Sequence, residues 1–295
     1  MDWPRAKTIL IACFVVLNVV LAYNLYLEPI LAGSSDNIRR DRFDSIMNVL
    51  RQNGVSIDVA VPRNTPRLAF YRVALHPFSA EDIFALRNGL LGPDAAMASR
   101  SAVPDENNPA EFVLGYEDMT VASLGYLSYY NRSLFLADSG EGSGNDAART
   151  LADSFLLARF PNHNHYAFDS VVYIAGMGYR VHYVQVHEST PMFPGHLMVL
   201  VRDESVVALW QLRLQVMSRE GQAKRIVSAA EALLSVLSHR LTVGEPGAVA
   251  VQQIDLGYFS RVYDTVESWQ TAPVWRVRTD HGDYFVNAHS GIIEE

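Results

Sequence analysis

The sequence predicts an α+β fold, in which a single N-terminal transmembrane helix is followed by helix-plus-antiparallel-sheet subdomains. Three observations carry this prediction. An almost uninterrupted apolar stretch runs from Ile9 to Leu27. Two amphipathic helical patterns follow much later, at Asp146–Phe160 and Arg225–Leu241, and alternating apolar and polar residues typical of strands lie around and after them. Each helix can then bury its apolar face on one face of a sheet.

The apolar stretch is long enough to cross a bilayer. As a helix it would extend roughly 28 Å, close to the thickness of the hydrocarbon layer. It contains no charged side chain, and Trp3, Tyr23 and Tyr26 fall near its two boundaries, where amphipathic rings prefer to lie. The sequence therefore predicts a head at residues 1–8 and a transmembrane helix at residues 9–28.

Two other interpretations of this stretch stay open. The Ala32-Gly33-Ser34 segment could serve as a signal-peptidase site, although the apolar run is long for a signal peptide. Leu10-Ile11-Ala12 before Cys13 resembles a lipidation site, but the apolar run continues beyond that cysteine. An anchor that is kept in the mature protein fits the residues best.

Composition narrows the class of protein. Apolar residues make up 49% of the chain and aromatic residues 11%, which indicates well-packed cores rather than disorder. The net charge of −8 argues against nucleic-acid binding. Cys13 is the only cysteine, so the large domain holds no disulfide. Basic residues lie on both sides of the apolar stretch in similar numbers. Their distribution therefore does not determine the orientation of this segment in the membrane.

The remaining chain is expected to form three regions. Residues 29–66 are predicted to hold a helix with Phe43, Ile46, Met47 and Leu50 on one face, stopped at Asn53-Gly54, and a strand from Val55 to Val61. Residues 67–145 form the first α+β subdomain, with a strand at Leu68–Leu75 and a capped helix at Ser79–Leu86. Residues 88–110 read as an irregular connection. Residues 146–295 form the second α+β region.

This second region is predicted to hold two repeated helix–sheet units, at residues 146–217 and 225–295. Gly178-Tyr179 and Gly257-Tyr258 are 79 residues apart, and Pro194 and Pro273 share the same offset. An internal repeat of this kind predicts that each unit buries one helix on one sheet.

The best-defined local structure is the last hairpin. Val274–Thr279 alternates, Asp280-His281-Gly282 turns, and Asp283–Ala288 returns. The hairpin is similar to those of PepSY-type domains, which are exported inhibitory and accessory modules. Two interpretations follow: Trp275, Tyr284 and Phe285 pack the sheet against the Arg225–Leu241 helix, or they form an exposed docking face.

The sequence gives little support for an enzymatic function. His163 and His165 have a spacing found in some metal sites, and His182, His187 and His196 follow, but a metal needs three or four converging ligands. Pro191 stands where a zinc-protease motif starting at His187 would need its second histidine. No Gly-x-Ser-x-Gly motif is present. We therefore predict no catalytic residue, metal or cofactor.

The chain resembles the YycI family along its whole length. The resemblance rests on Met1-Asp2-Trp3 with Lys7, on Leu17-Asn18 within the apolar stretch, and on four later segments. These segments are Trp210-Gln211, Leu256-Gly257-Tyr258-Phe259, Ala272-Pro273-Val274-Trp275-Arg276, and Val286-Asn287-Ala288 with Gly291. Between residues 80 and 145 little matches.

The resemblance implies a function that composition alone does not. Members of this family are membrane-anchored accessory regulators of the WalK/WalR (YycG/YycF) two-component system in Gram-positive bacteria. They act beside a YycH-like partner, with the N-terminus in the cytoplasm and the large domain outside. The expected partners are therefore the sensor histidine kinase, the YycH-like protein and membrane lipid. The alternatives are an extracytoplasmic ligand- or peptide-binding module without kinase contact, or a cell-envelope hydrolase.

Within the apolar stretch one face is a candidate contact surface. Asn18 lies at its midpoint, and an unpaired carboxamide is costly there. Ala22 lies one helical turn after Asn18. Phe14 lies one turn before Asn18, and Tyr26 lies one turn after Ala22. A polar residue beside a small one suits packing between transmembrane helices. We define the anchor stripe as Phe14, Asn18, Ala22 and Tyr26, and predict that it binds a partner helix. The alternative is that Asn18 bonds to a carbonyl of its own helix.

Overall fold

The computed structural model describes residues 35–100, 110–122, 124–135, 144–245, 247–263 and 265–294. It shows a mixed α+β fold with a large, mostly antiparallel sheet. The chain divides into two compact units between Ser56 and Ile57. The predicted transmembrane helix at residues 9–28 lies outside the described residues. Within the described ranges no helix combines the length and the apolar character needed to cross a bilayer.

The helix of the first unit, α1 (Ser35–Gln52), confirms the helical pattern read from the sequence. Gly54 follows it with φ at +80°, a conformation that glycine adopts without strain and that commonly ends helices. The strand expected at Val55–Val61 is wrong in length, because β1 covers only Val55–Ile57. Two prolines, Pro62 and Pro66, lie in the irregular segment that follows, and neither has a backbone N–H for a sheet.

The second unit begins with β2 (Arg67–Leu75) and α2 (Ala80–Leu91). Ser79 caps α2: its hydroxyl accepts a hydrogen bond from the Asp82 N–H at 3.1 Å, and the Asp82 carboxylate accepts one from the Ser79 N–H at 3.0 Å. In the expected irregular connection at residues 88–110, the described residues 88–100 are more ordered than predicted, because α2 extends to Leu91. A short 3₁₀ turn (Ala95–Met97) and β3 (Ser99–Arg100) follow it.

The next part of the chain is an antiparallel meander. It comprises β4 (Ala110–Leu114), β5 (Glu117–Val121), β6 (Tyr126–Asn131) and a one-turn helix, α3 (Arg132–Phe135). Strand β6 pairs with residues 208–212, much later in the chain, so the region in which little matched the family belongs to the main sheet.

The first long helix of the second region is α4 (Asn145–Arg159), which confirms the predicted position. Four antiparallel strands follow: β7 (Tyr166–Ile174), β8 (Gly178–His187), β9 (Thr190–Arg202) and β10 (Ser205–Leu212). Ala148, Ala152 and Leu156 of α4 are buried in a core shared with α2 and with the strands from β4 to β10.

The last part of the chain repeats this order of elements. A long strand, β11 (Leu214–Arg225), leads into α5 (Ala229–Thr242). Then come β12 (Val249–Phe259), β13 (Trp269–Thr279), β14 (Gly282–Asn287) and β15 (Ile293–Glu294). The predicted final hairpin is thus confirmed.

Both α4 and α5 are followed by antiparallel hairpins, but the 79-residue offset does not align equivalent strands. Gly178 opens the second strand after α4, whereas Gly257 lies inside the first strand after α5. Likewise, Pro194 is in the third strand and Pro273 in the second. The division at residues 146–217 and 225–295 remains a prediction.

Two joints make the sheet continuous. Strand β9 pairs in parallel with β12 at a single register point, Met192 opposite Tyr258. Strand β13 pairs with β12 on one side and also with β14 and, through Trp269–Thr271, with β2. Strand β2 lies between β13 and β11. The core residues at this joint include Tyr71, Val73, Met192 and Tyr258.

Candidate functional site

The anchor stripe lies outside the described residues. Its role as a partner-binding face of Phe14, Asn18, Ala22 and Tyr26 therefore stays a prediction from the sequence. The described residues instead define the two faces of the C-terminal sheet and the side chains on each.

The last hairpin presents different side chains on its two faces. Trp275 is buried, and its indole N–H donates to the Val227 carbonyl, just before α5, at 2.9 Å. The Tyr284 hydroxyl accepts a hydrogen bond from Arg240 of α5 at 3.2 Å. These two aromatic residues pack the sheet against the helix, so they do not form an exposed docking face.

Phe285 does not pack against α5 as one interpretation of the sequence expected, because it lies on the opposite face of the hairpin. It stacks on Phe259 of β12 with ring centres 3.8 Å apart, and Phe193 of β9 contacts it at 5.5 Å. Side chains alternate along a strand, so Phe285 must face opposite to Tyr284. It therefore joins the hairpin to the β9–β12 joint rather than to α5.

A shallow groove of about 560 Å³ runs between α5 and the C-terminal segment. Its walls include Leu234 and Ser238 of α5 and Ile292 of the segment. Its polar side chains are serines, a glutamate and a histidine, and the Ser235 and Ser238 hydroxyls donate to backbone carbonyls of α5 itself. Such a lining lacks the converging polar groups of an enzyme pocket.

The face opposite α5 carries a group of charged residues that the sequence analysis missed. We call it the β7–β13 charge cluster; its members are Asp169, Asp255, Arg276, Arg278 and Asp283. Asp169 belongs to β7, and the others lie on β12, β13 and β14. The pairing of β7 with β8 shifts register between Phe168 and Ser170, which makes Asp169 the extra residue of a β-bulge. Such a bulge redirects a side chain out of the regular alternation.

Arg276 is the centre of the cluster. Its side chain is only 6% exposed, and one terminal nitrogen, Nη2, donates to Asp169 and to Asp255, each at 2.6 Å. The guanidinium lies over the Phe193 ring, 4.4 Å from its centre. Buried charges persist only when they are paired, so these contacts explain how an arginine is accommodated inside the sheet.

Arg278 extends the cluster toward the surface. It donates to the second oxygen of Asp169 at 2.7 Å and to Asp283 at 2.9 Å and 3.1 Å. Burial alone would raise the pKa of Asp169, but the hydrogen bonds and positive charges of both arginines hold that pKa below its usual value. Burial opposes the charged form of Arg278, yet its two carboxylate partners raise its pKa.

This geometry determines what the cluster can do. Both oxygens of Asp169 accept hydrogen bonds from guanidinium groups, so this carboxylate is not positioned as a free acid or base. The cluster instead ties β7, which follows α4, to the strands that follow α5. Sequence reasoning could have placed Arg276 and Arg278 on one face from their alternation with Trp275 and Val277. Their partner on β7 gives no local signal.

The histidines singled out from the sequence do not converge. His163 and His165 lie on a 3₁₀ turn after α4, and the imidazole of His187 packs edge-on against Tyr71 of β2. His182 lies on β8 and His196 on β9. Among the described residues no group of three or more His, Cys, Asp or Glu side chains could hold a metal ion.

Burial lowers the pKa of two of these histidines, His182 and His196. Burial, together with the positive charge of Arg180, lowers the pKa of His182 to about 4. Burial also lowers the pKa of His196. Both shifts favour the neutral imidazole, and His182 lies near Asp169 and Arg278 of the charge cluster.

Comparison with known structures supports the fold. The chain is similar to an uncharacterized protein from Eubacterium rectale ATCC 33656 with a TM-score of 0.56 and 11% identity. The alignment covers 82% of this chain and 91% of that one. At this identity the similarity establishes a shared mixed α+β architecture and nothing about activity. No curated protein matches the chain.

Comparison with protein families identifies the chain itself. The family model described as "YycI protein" matches residues 33–289, which is most of the sequence and nearly all of the part that the structure describes. The sequence resemblance, carried by short segments such as Trp210-Gln211 and Ala272–Arg276, is thereby confirmed. The chain belongs to the YycI family.

Proposed function

We propose that this protein is a membrane-anchored accessory regulator of a WalK/YycG-type sensor histidine kinase, acting with a YycH-like partner. The observation that carries the proposal is the family match over residues 33–289, preceded by the uncharged stretch from Ile9 to Leu27. Membership of the YycI family implies an accessory role in this two-component system and attachment to the membrane. The specific contacts below are our own proposal.

The proposed orientation places the N-terminus in the cytoplasm and the α+β domain outside the cell. The anchor stripe then contacts transmembrane helices of the kinase or of the YycH-like protein. Interhelical hydrogen bonds of this kind contribute about 0.6–2 kcal/mol each, so Asn18 can influence association without dominating it. A regulator shifts a kinase only if it binds the two signalling states with different affinity.

The structure of the outer domain supports a mechanical rather than a chemical role. The buried charge cluster and the Phe193–Phe259–Phe285 contacts connect the strands after α4 to those after α5. A domain braced in this way can transmit a force or a binding event to its anchor as one body. A hydrolase would need converging catalytic groups, and the described histidines do not supply them.

The test is co-purification of the full-length protein from membranes that also contain the kinase and the YycH-like protein. We expect both partners to be recovered, and recovery to fall when residues 9–28 are replaced by an unrelated transmembrane sequence. Asn18→Leu should reduce recovery, whereas Asn24→Leu, a matched change on another face of the same predicted helix, should not. Recovery of the protein alone would contradict the regulatory role. Equal recovery with Asn18→Leu would contradict only the anchor stripe.

A further inference from the structure

Three connections of the second unit meet at one end of the sheet. His76 follows β2, Gly125 precedes β6, and Arg213 joins β10 to β11. The His76 N–H donates to the Arg213 carbonyl at 3.0 Å, and the Arg213 N–H donates to the Gly125 carbonyl at 2.9 Å. Gly125 has φ at +72°, and a Cβ there would lie 2.7 Å from the Arg213 carbonyl oxygen. These contacts hold the backbones of His76 and Arg213 side by side.

The side chains of these two residues each carry a buried nitrogen that lacks a hydrogen-bond partner in the described part of the chain. These atoms are Nε2 of His76 and Nη1 of Arg213. The arginine nitrogen can only donate a hydrogen bond, and the imidazole nitrogen donates whenever it carries a proton. Buried polar groups of folded proteins nearly always have partners. Two donors without one, at the same place, therefore indicate an acceptor from outside the chain.

Two residues at the start of β7 add further donors. The Tyr166 hydroxyl accepts a hydrogen bond from Nε2 of Gln211 at 2.6 Å, so its own hydrogen can still be donated. His165 precedes it on the 3₁₀ turn and is exposed. Partial burial lowers the pKa of His76 and of His165, and the positive charge of Arg213 lowers each pKa further, so the three side chains are within electrostatic range. We define the donor cluster as His76, His165, Tyr166 and Arg213.

One acidic side chain, Asp82 in the first turn of α2, lies beside the donor cluster. Its Oδ2 is 3.9 Å from Nε2 of His76, which is too far for a hydrogen bond. The same oxygen accepts hydrogen bonds from the N–H and the hydroxyl of Ser79, at 3.0 Å and 2.7 Å. Asp82 thus serves the cap of α2 and leaves the donor cluster without an acceptor. Its negative charge opposes the binding of an anion there.

We propose that the donor cluster binds the phosphate group of a small ligand. The guanidinium of Arg213 is a planar fork of N–H groups that matches two phosphate oxygens, and its charge repels metal cations. His76 comes from the end of β2 and Tyr166 from the start of β7. Donors from three separate segments suit the tetrahedral array of phosphate oxygens better than a planar carboxylate. The proposal concerns a ligand and does not depend on the proposed contact with a kinase.

Calorimetric titration of the full-length protein in detergent with inorganic phosphate, at ionic strength matched with chloride, tests the proposal. We expect saturable binding of one phosphate per chain. Arg213→Gln should weaken it by about tenfold or more, which corresponds to the loss of a hydrogen bond to a charged group. His165→Gln changes an exposed residue and should weaken binding less, without affecting folding. The control Arg219→Gln removes an exposed arginine of β11 and should leave the affinity unchanged.

A variant with the opposite expected effect separates ligand binding from a structural role. Asp82→Asn removes the opposing charge, so it should tighten phosphate binding several-fold even though it weakens the cap of α2 and lowers the melting temperature. A cluster that only stabilises the fold would show no such gain.

Three results would overturn the proposal. The first is no saturable binding in millimolar phosphate, which would leave the cluster as a site for water. The second is binding that neither Arg213→Gln nor His165→Gln weakens, since the phosphate would then lie elsewhere. The third is tighter binding of acetate than of phosphate, which would indicate a carboxylate ligand. Glycerol phosphate distinguishes two sources of the group: binding as tight as that of inorganic phosphate supports an ester, and exclusion supports the free ion.

Discussion

Gln185 binds the backbone of Leu214 through both ends of its amide: Nε2 donates to the Leu214 carbonyl at 2.7 Å, and Oε1 accepts from the Leu214 N–H at 2.8 Å. Gln185 is near the end of β8 and Leu214 begins β11. One side chain therefore makes the two hydrogen bonds that link these strands, which do not pair with each other. All four groups are buried, and each would be costly to leave without a partner.

Gly195 makes room for this side chain, so Gly195→Ala should destabilise the protein. A Cβ at this position would lie 2.9 Å from the Gln185 Cβ and still closer to its Oε1. The methyl group must displace Gln185 and break both hydrogen bonds. We expect the free energy of unfolding to fall by about 2–4 kcal/mol, measured by urea denaturation.

A double-mutant cycle separates this clash from other effects of the methyl group. Gln185→Ala alone should cost about as much, because it leaves the Leu214 N–H and C=O unpaired. Adding Gly195→Ala to it should then cost much less than in the native background. Additive losses would show that the two residues act independently.

The charge cluster predicts a large effect for Asp169→Asn. This change removes the carboxylate that both Arg276 and Arg278 bind and leaves buried positive charge only partly compensated. Loss of one partner of a buried ion pair costs about 3–5 kcal/mol. The control is Asp118→Asn at the more exposed pair with Arg132, which should cost less than about 1 kcal/mol. Equal shifts in the urea midpoint would contradict the central role of Asp169.

His182 predicts a pH dependence of stability. Its pKa is about 4 in the folded protein, below the usual 6.5, so the unfolded chain binds a proton first as pH falls. The stability that the neutral imidazole contributes is present above pH 6.5 and should be lost as pH falls toward 4. We expect His182→Gln to reduce the slope of the melting temperature over this range. An unchanged slope would show that the pH dependence of stability comes from other groups, such as His196.

The helix α5 depends on a reciprocal cap. The Ser228 hydroxyl accepts from the Glu231 N–H at 3.2 Å, and the Glu231 carboxylate accepts from the Ser228 N–H at 2.8 Å. Ser228→Ala should therefore cost about 0.5–2 kcal/mol in thermal or urea unfolding. Ser238→Ala, on the exposed face of the same helix, should change stability by less than about 0.5 kcal/mol. A similar loss for both would contradict the specific role of the cap, because Ala favours a helix more than Ser does and propensity alone predicts no loss at Ser238.

Sequence patterns predicted the elements whose signal is local. The helix at Asn145–Arg159 and the hairpin of β13 and β14 have clear periodicity, and both are confirmed. The helix α5 begins later than its apolar pattern, at Ala229 instead of Arg225, because Ser228 and Glu231 form the cap. Capping residues were the signal that could have corrected this boundary.

What local patterns could not predict are the pairings between distant segments. Strand β2 lies between β11 and β13, and β9 meets β12 in parallel, yet no residue of these strands specifies its neighbour on its own. The β-bulge at Asp169 likewise gives no sequence signal, since only the register with β8 defines it. The charge cluster depends on this bulge. The sequence analysis therefore did not identify the charge cluster, although each of its residues can be read from the sequence.

The position of β2 has a consequence for how the protein is made. Arg72 of this early strand contacts Glu220, 148 residues later, and Ser268, 196 residues later. Chain segments so far apart find each other slowly, because a long loop must close before the contact stabilises anything. A nascent chain emerging N-terminus first must therefore hold β2 unpaired until β11 and β13 arrive. Truncation of the C-terminal strands should leave an aggregation-prone fragment rather than a smaller folded domain.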